Sequence, residues 1–208
     1  MTETPESTKL ILASASSVRQ TLLRNAGLEF EAVDSRADED AIKAGFAEGD
    51  LERDAATDAL ALKLAEEKAL AVSARFPGAL VIGADQILSC MGKRYDKPKS
   101  MSEARANLTE FRGRAHILHS GLVLVKDGAT VWRHSARAVL TMRAFSDRFL
   151  DHYLAETGSM VMKSVGCYQL EGPGVQLFDR IEGDYFSILG LPMLPLLAEL
   201  RRHGVVRA

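Results

Sequence analysis

Asp85 closes the run Val81-Ile82-Gly83-Ala84-Asp85, and twelve residues later Lys97 stands directly before Pro98. An apolar, β-branched approach that stops on a carboxylate predicts a buried strand ending at Asp85. The acid then sits where a sheet meets a cleft, the place where open α/β sheets put their ligands. A carboxylate there can orient or deprotonate a water, or help hold a cation. Taken alone, Asp85 also fits a surface turn, where Asp is common.

Several cations are spaced so that they could share such a cleft with Asp85. The segment Ser14-Ala15-Ser16-Ser17-Val18-Arg19 lies between a strand-like and a helix-like stretch. Free backbone N–H groups, the Ser14 and Ser16 hydroxyls and the Arg19 guanidinium would converge at a helix N-terminus, the outline of an anion site. Ordinary N-capping with an exposed arginine is the other reading. Lys68 falls near the apolar face of a long helical pattern, three or four residues from Leu64, Ala65 and Val72; a lysine so placed either snorkels to solvent or reaches into a cleft. Lys97, made extended by the following proline, is either a solvated loop lysine or a further ammonium for the same cleft. Asp38 and Glu39 could join Asp85 in holding a magnesium ion, which prefers a few carboxylates and keeps several waters.

Other chemistries find less support. There is no Gly-x-x-x-x-Gly-Lys-Ser/Thr loop, and no Gly-rich dinucleotide fingerprint follows the first strand-like segment. The five histidines lack the close paired spacing of a zinc site. Cys90 and Cys167 are too few for a disulfide scaffold and read as buried thiols in a reducing compartment.

The elements that must position these groups follow from periodicity. Lys9–Ala13 reads as a first strand, followed by a helix carrying Val18, Leu22, Leu23 and Ala26 that stops at Gly27. The polar stretch Asp34 to Asp54 predicts a loop or lid with a short helix. A long helix from Thr57 to Arg75 ends at Phe76-Pro77-Gly78. After the Asp85 strand come a loop through Gly92 and Lys97, and a helix capped by Ser102 with Ala104, Leu108 and Phe111 on one face. Ala115–Val125 and Thr130–Met142 read as strands joined at Asp127-Gly128, a hairpin signal. A helix capped by Ser146, β pattern over Gly174–Ile181 and a last helix over Leu191–Arg202 complete the chain. Crossover and hairpin connections together predict an α/β fold with a mixed β-sheet flanked by helices.

With 208 residues and a net charge of −2, the chain predicts one globular domain or two tightly joined lobes over residues 1–208, with residues 1–8 a frayed polar tail. The near-neutral balance argues against a nucleic-acid polymer as partner. No apolar stretch reaches the length of a membrane span, and the start is unlike a secretory signal, so a soluble, cytoplasmic protein is expected.

Across nearly its whole length the chain resembles the Maf family of nucleoside triphosphate pyrophosphatases. Ser14-Ala15-Ser16-Ser17-Val18-Arg19-Gln20-Thr21-Leu22-Leu23 is similar to the family's opening Ser-x-Ser-Pro-x-Arg-x-x-Leu-Leu. Asp38-Glu39, Glu67-Lys68-Ala69, Gly83-Ala84-Asp85 with Lys97-Pro98, Gly113-Arg114-Ala115-His116 to Ser120-Gly121, and Ile181-Glu182-Gly183-Asp184-Tyr185 to Gly190-Leu191-Pro192 resemble its further signatures in order. Ser17 replaces the family's proline, and Val18 stands where arginine or tryptophan is frequent. Gln86 stands where the subgroup acting on thymidine and uridine triphosphates has threonine, and Glu171 where it has glutamine. Both resemble the subgroup that hydrolyses 7-methylguanosine triphosphate, and a carboxylate can accept from adjacent guanine N–H donors.

The resemblance implies two lobes around a central cleft, as in the Maf and inosine triphosphatase folds. It also implies hydrolysis of a nucleoside triphosphate to monophosphate and pyrophosphate, a house-cleaning role on modified nucleotides. Asp85, Lys68 and Lys97 would be catalytic, Ser14, Ser16, Arg19, Gln86 and Glu171 would bind substrate, and Glu39 and Asp85 would hold Mg²⁺. A homodimer is compatible with it. A non-hydrolysing nucleotide-binding regulator linked to cell division is the alternative.

Overall fold

The computed structural model describes residues 8–207, so most of the expected N-terminal tail lies outside the described residues. Strand β1 (Leu10–Leu12) leads to α1 (Ser17–Asn25), β2 (Glu31–Ala32), α2 (Glu39–Gly45) and α3 (Arg53–Ser73). Then follow β3 (Leu80–Cys90), β4 (Lys93–Tyr95), α4 (Met101–Phe111), β5 (Ala115–Lys126), β6 (Ala129–Met142) and α5 (Asp147–Thr157). Two 3-10 turns, Gly158–Lys163 and Pro173–Leu177, precede β7 (Phe178–Glu182), α6 (Tyr185–Ile188) and α7 (Met193–Arg202).

The seven strands form one mixed sheet in the order β2-β1-β3-β5-β6-β7, with β4 paired to β3. β1 runs parallel to β2 and β3, and the other pairings are antiparallel. The β5–β6 hairpin turns on Asp127 (φ 49°) and Gly128 (φ 75°), the left-handed pair that a two-residue turn requires.

Alternation along β3 explains the layers. Val81, with Ile11, Val123 and Val125, packs on the Ala65, Ala69 and Val72 face of α3. Leu80, Ile82 and Ala84 face the opposite way, onto Leu22 and Leu23 of α1 and Leu196 and Leu200 of α7. Farther along, Leu88, Leu118 and Leu140 join Leu108, Phe111, Leu150 and Tyr153 in a second lobe under α4 and α5. Each fully buried Leu or Val contributes roughly 1.5–3 kcal/mol.

The contact of α3 with the sheet depends on two glycines. A Cβ at Gly83 would lie 2.1 Å from the Ala65 carbonyl oxygen, and one at Gly121 would lie 2.4 Å from that of Ala61. Small residues on both sides therefore let the helix backbone rest directly on the strands. One end of this seam carries a buried polar tie: Asp58 on α3 meets His119 Nδ1 at 2.7 Å, and His119 Nε2 meets the Ser89 hydroxyl at 2.8 Å. Ser89 is buried and lies outside the main cavity, so this chain of contacts fixes the helix against the sheet.

Four expectations from the sequence are revised. β3 runs past Asp85 to Cys90, because Gln86–Cys90 pairs with β5 and β4. Ser100, not Ser102, caps α4, accepting from the Glu103 N–H at 3.1 Å. The long helix α3 begins a turn before Thr57, at Arg53. Pro173–Leu177 forms a 3-10 turn, so β7 begins only at Phe178.

Candidate active site

Asp85 faces a cleft although it lies inside a strand, because the sheet has a gap beside it. β1 pairs with β3 only as far as Leu12 opposite Ile82, and β4 begins pairing at Leu88 opposite Tyr95. Between these points the β3 edge is uncovered by strand, and Arg19 fills part of the gap. Its Nη1 donates to the Ala84 carbonyl at 2.8 Å and to Ser14 Oγ at 3.2 Å, and its Nε donates to the Gly190 carbonyl at 2.9 Å. A cavity of about 740 Å³ opens over this gap.

The cavity gathers Ser14, Ser16, Arg19, Glu39, Lys68, Asp85, Gln86, Lys97 and Glu171 into one lining, so every candidate site residue named from the sequence except Asp38 borders the same space. Lys68 does not snorkel. Its ammonium is buried, 2.5 Å from Asp85 Oδ1 and 2.7 Å from Glu39 Oε1. This closeness follows from Gly83, which places α3 against the sheet two residues before Asp85.

The hydroxyls of the Ser14–Arg19 segment act locally as well. Ser16 caps α1 through the Arg19 N–H, and Ser14 Oγ accepts from the Ser16 N–H at 3.2 Å. The Ser17 and Val18 amides of the first turn of α1 have no intrahelical partner and lie beside the Arg19 charge, a setting that favours an anion. Gln86 lies on the opposite face of β3 from Asp85. Its amide nitrogen donates to the Ser187 carbonyl at 2.9 Å and the Ile188 carbonyl at 3.2 Å, holding α6 and the following Gly190 against the sheet. This anchoring function has no signal in the sequence pattern. Glu171 is exposed at the rim, in the turn closed by the Gly172 N–H on the Gln169 carbonyl.

Electrostatics separate the cations. Desolvation lowers the pKa of the Arg19 guanidinium, opposed by the charges of Asp85 and Glu39. Lys97 is still reached by solvent, yet desolvation by the cleft wall and then the Arg19 charge bring its ammonium below the ordinary lysine value. Desolvation would raise Glu39, but the surrounding ammonium groups, Lys68 foremost and then Lys43 and Lys97, together hold the carboxyl below the usual range. Lys97 has no ion pair among those formed by the described residues.

A small hard cation is compatible with these groups. Asp85 and Glu39 converge on Lys68 through one oxygen each, and the second oxygen of each has no partner among the described residues. No group of three or more His, Cys, Asp or Glu among the described residues is arranged to hold a metal alone. Waters and ligand oxygens would have to complete such a shell, the usual situation for Mg²⁺. Asp38 is less available, because its Oδ1 caps α2 by accepting from the Ala41 N–H at 3.0 Å.

The far wall comes from a stretch that sequence reasoning passed over, Met162 to Leu170. Tyr168 is fixed there by its hydroxyl 2.8 Å from His116 Nε2 and by two contacts with the Ser164 hydroxyl. Cys167 lies behind this wall with its thiol pushed up to about 12 by burial, which leaves it protonated and without use as a nucleophile. Lys43 and Asp96 also line the cavity and were not singled out by any motif.

A deep cleft with one carboxylate pair, several cations and a mixed apolar and polar far wall is suited to a ligand with a polyanionic end and a ring-bearing end. Known proteins agree in outline. A nucleoside triphosphate pyrophosphatase of Granulibacter bethesdensis is 51% identical over 196 residues, covering 94% of this chain and 97% of that protein. A protein of the same name from Caulobacter vibrioides is 52% identical over 199 residues, covering 96% of this chain and 98% of its own length. A 7-methyl-GTP pyrophosphatase of Rhizobium meliloti is 52% identical over 200 residues, with the same shares covered. The family model described as Maf-like protein matches residues 9–203, and the chain belongs to that family.

Proposed function

We propose that this protein hydrolyses nucleoside triphosphates to nucleoside monophosphate and pyrophosphate. The observation that carries the reading is the convergence of Arg19, Lys68 and Lys97 on Asp85 in one cavity of about 740 Å³. The names of its relatives point the same way.

In this reading water attacks the α-phosphorus. The new bond joins the water oxygen to phosphorus, the bridging α–β bond breaks, and pyrophosphate leaves with the electron pair. Asp85 Oδ2, free of hydrogen bonds among the described residues, receives or orients the water proton, while Oδ1 stays on Lys68. A positioned base of this kind contributes about 10²–10⁴-fold. Arg19, the α1 amides and the Ser14 and Ser16 hydroxyls hold phosphate oxygens, and Lys68 and Lys97 offset charge that develops on them. Bound Mg²⁺, held by Glu39 and Asp85, would neutralise phosphate charge. No covalent nucleophile is needed.

The base lies toward Tyr168, Leu170 and Glu171. A 7-methylated guanine carries positive charge on its ring and adjacent N–H donors on its edge, and the exposed Glu171 carboxylate complements both. We therefore place 7-methylguanosine triphosphate-like substrates first.

Pyrophosphate release from a panel of unmodified and methylated nucleoside triphosphates, with Mg²⁺ present, tests both parts. Turnover highest with the methylated guanosine compound is expected, and Glu171→Gln should reduce that preference. Tight binding of the same nucleotides with no release from any of them would indicate a regulator instead.

A further inference from the structure

Lys43 lies in the last turn of α2, and its ammonium is 2.5 Å from Oδ1 of Asp96, the residue before Lys97. Both line the same cavity. The Lys43 side chain is 27% exposed and that of Asp96 is 74% exposed, so the pair joins a cation in the cleft to a carboxylate in open water. Such solvent-exposed pairs are weak, and a polyphosphate competes with them easily.

The other cations on this wall have less freedom. Arg19 already donates to Gly190, Ala84 and Ser14, and Lys68 is shared between Glu39 and Asp85. Lys97 and Lys43 are the ones with donors to spare. Nor would an exchange of partners at Lys43 unseat α2. Ile42 and Phe46 pack against Leu60, Leu64 and Ile87, and Arg94 of β4 ties down the following segment through Glu48 at 2.7 Å while also donating to Thr57 of α3 at 2.9 Å.

We propose that Lys43 binds the pyrophosphate portion of the substrate and that Asp96 is its stand-in anion when no substrate is bound. An incoming triphosphate takes the ammonium from Asp96, and after hydrolysis Asp96 reclaims it and helps pyrophosphate leave. The inference rests on the triphosphate reading of the cleft, but it can be tested without turnover.

Calorimetric titration of inorganic pyrophosphate into the full-length protein is the direct test, with nucleoside monophosphate as control. Lys43→Met should weaken pyrophosphate binding by about tenfold, the loss of one charge-assisted contact. Asp96→Asn should tighten it by about threefold, the release of a solvent-exposed pair. The double variant should match Lys43→Met, and monophosphate affinity should stay unchanged in all three. Unfolding midpoints near wild type would show that the variants are folded. Wild-type protein that fails to bind pyrophosphate, an unchanged affinity in Lys43→Met, or weaker binding in Asp96→Asn would overturn the proposal. Failure of the hydrolase reading would show separately, as wild-type protein that releases no pyrophosphate from any nucleoside triphosphate.

Discussion

Lys68 on α3 and Asp85 on β3 meet at 2.5 Å across a seam that Gly83 keeps free of side chains. Both groups are buried, and among the described residues Glu39 is the only other carboxylate in ion-pair contact with the ammonium. The pair is therefore coupled to the helix–sheet packing on one side and to the cleft on the other. Lys68→Met leaves Asp85 without its partner and should destabilise the fold by about 1–3 kcal/mol. Adding Asp85→Asn removes the unpaired charge, so the double variant should be more stable than the sum of the two single effects requires. Denaturant unfolding of all four proteins measures this coupling. Strict additivity would show that the two residues act independently.

Gly83→Ala tests the seam itself. The added methyl would meet the Ala65 carbonyl at 2.1 Å, a backbone atom that moves only if the helix moves. Overpacking of this kind costs about 1–3 kcal/mol, and here it also separates Lys68 from Asp85. Loss of both stability and pyrophosphate release is expected, whereas Gly78→Ala, where a Cβ meets nothing within 4 Å, should be strained only by its positive φ and keep its activity. Equal activity losses in the two variants would remove the seam from the explanation.

His116 gives the fold a defined acid response. Burial pushes its pKa down from 6.5 to about 4, so the folded protein keeps it neutral where the unfolded chain protonates it. Stability contributed by this difference is intact above pH 6.5 and is lost as pH falls toward 4, by about 3 kcal/mol in total. Glu39 and Glu66, whose pKa values are lowered in the fold, act in the same direction as they become protonated. The unfolding midpoint of His116→Phe, followed between pH 7 and 4, should fall less steeply than that of wild type. Parallel curves would contradict the assignment.

Residue types and periodicity make the helices, the hairpin and most strands legible in the sequence. Asp85 and Lys68 stand out because each breaks an apolar pattern that local structure would otherwise continue, and Arg19 because it follows a run of small hydroxyl residues between a strand-like and a helix-like stretch. What the sequence does not show is contact between distant segments. The end of β3 was misplaced because the gap beside Asp85 comes from the early end of β1, a property of a different strand. Likewise, Gln86 is committed to the carbonyls of Ser187 and Ile188, about a hundred residues away along the chain, and only the folded sheet brings them together. Lys43 and Asp96 look like ordinary solvated residues until α2 and the β4 loop are seen to face each other.

Single-turnover hydrolysis in heavy-oxygen water, run with wild type and Asp85→Asn, tests the central claim most directly. The account expects the label in the nucleoside monophosphate and none in pyrophosphate, with a rate about 10²–10⁴-fold lower in a folded Asp85→Asn protein. Label appearing in pyrophosphate, or a variant rate close to wild type, would contradict it.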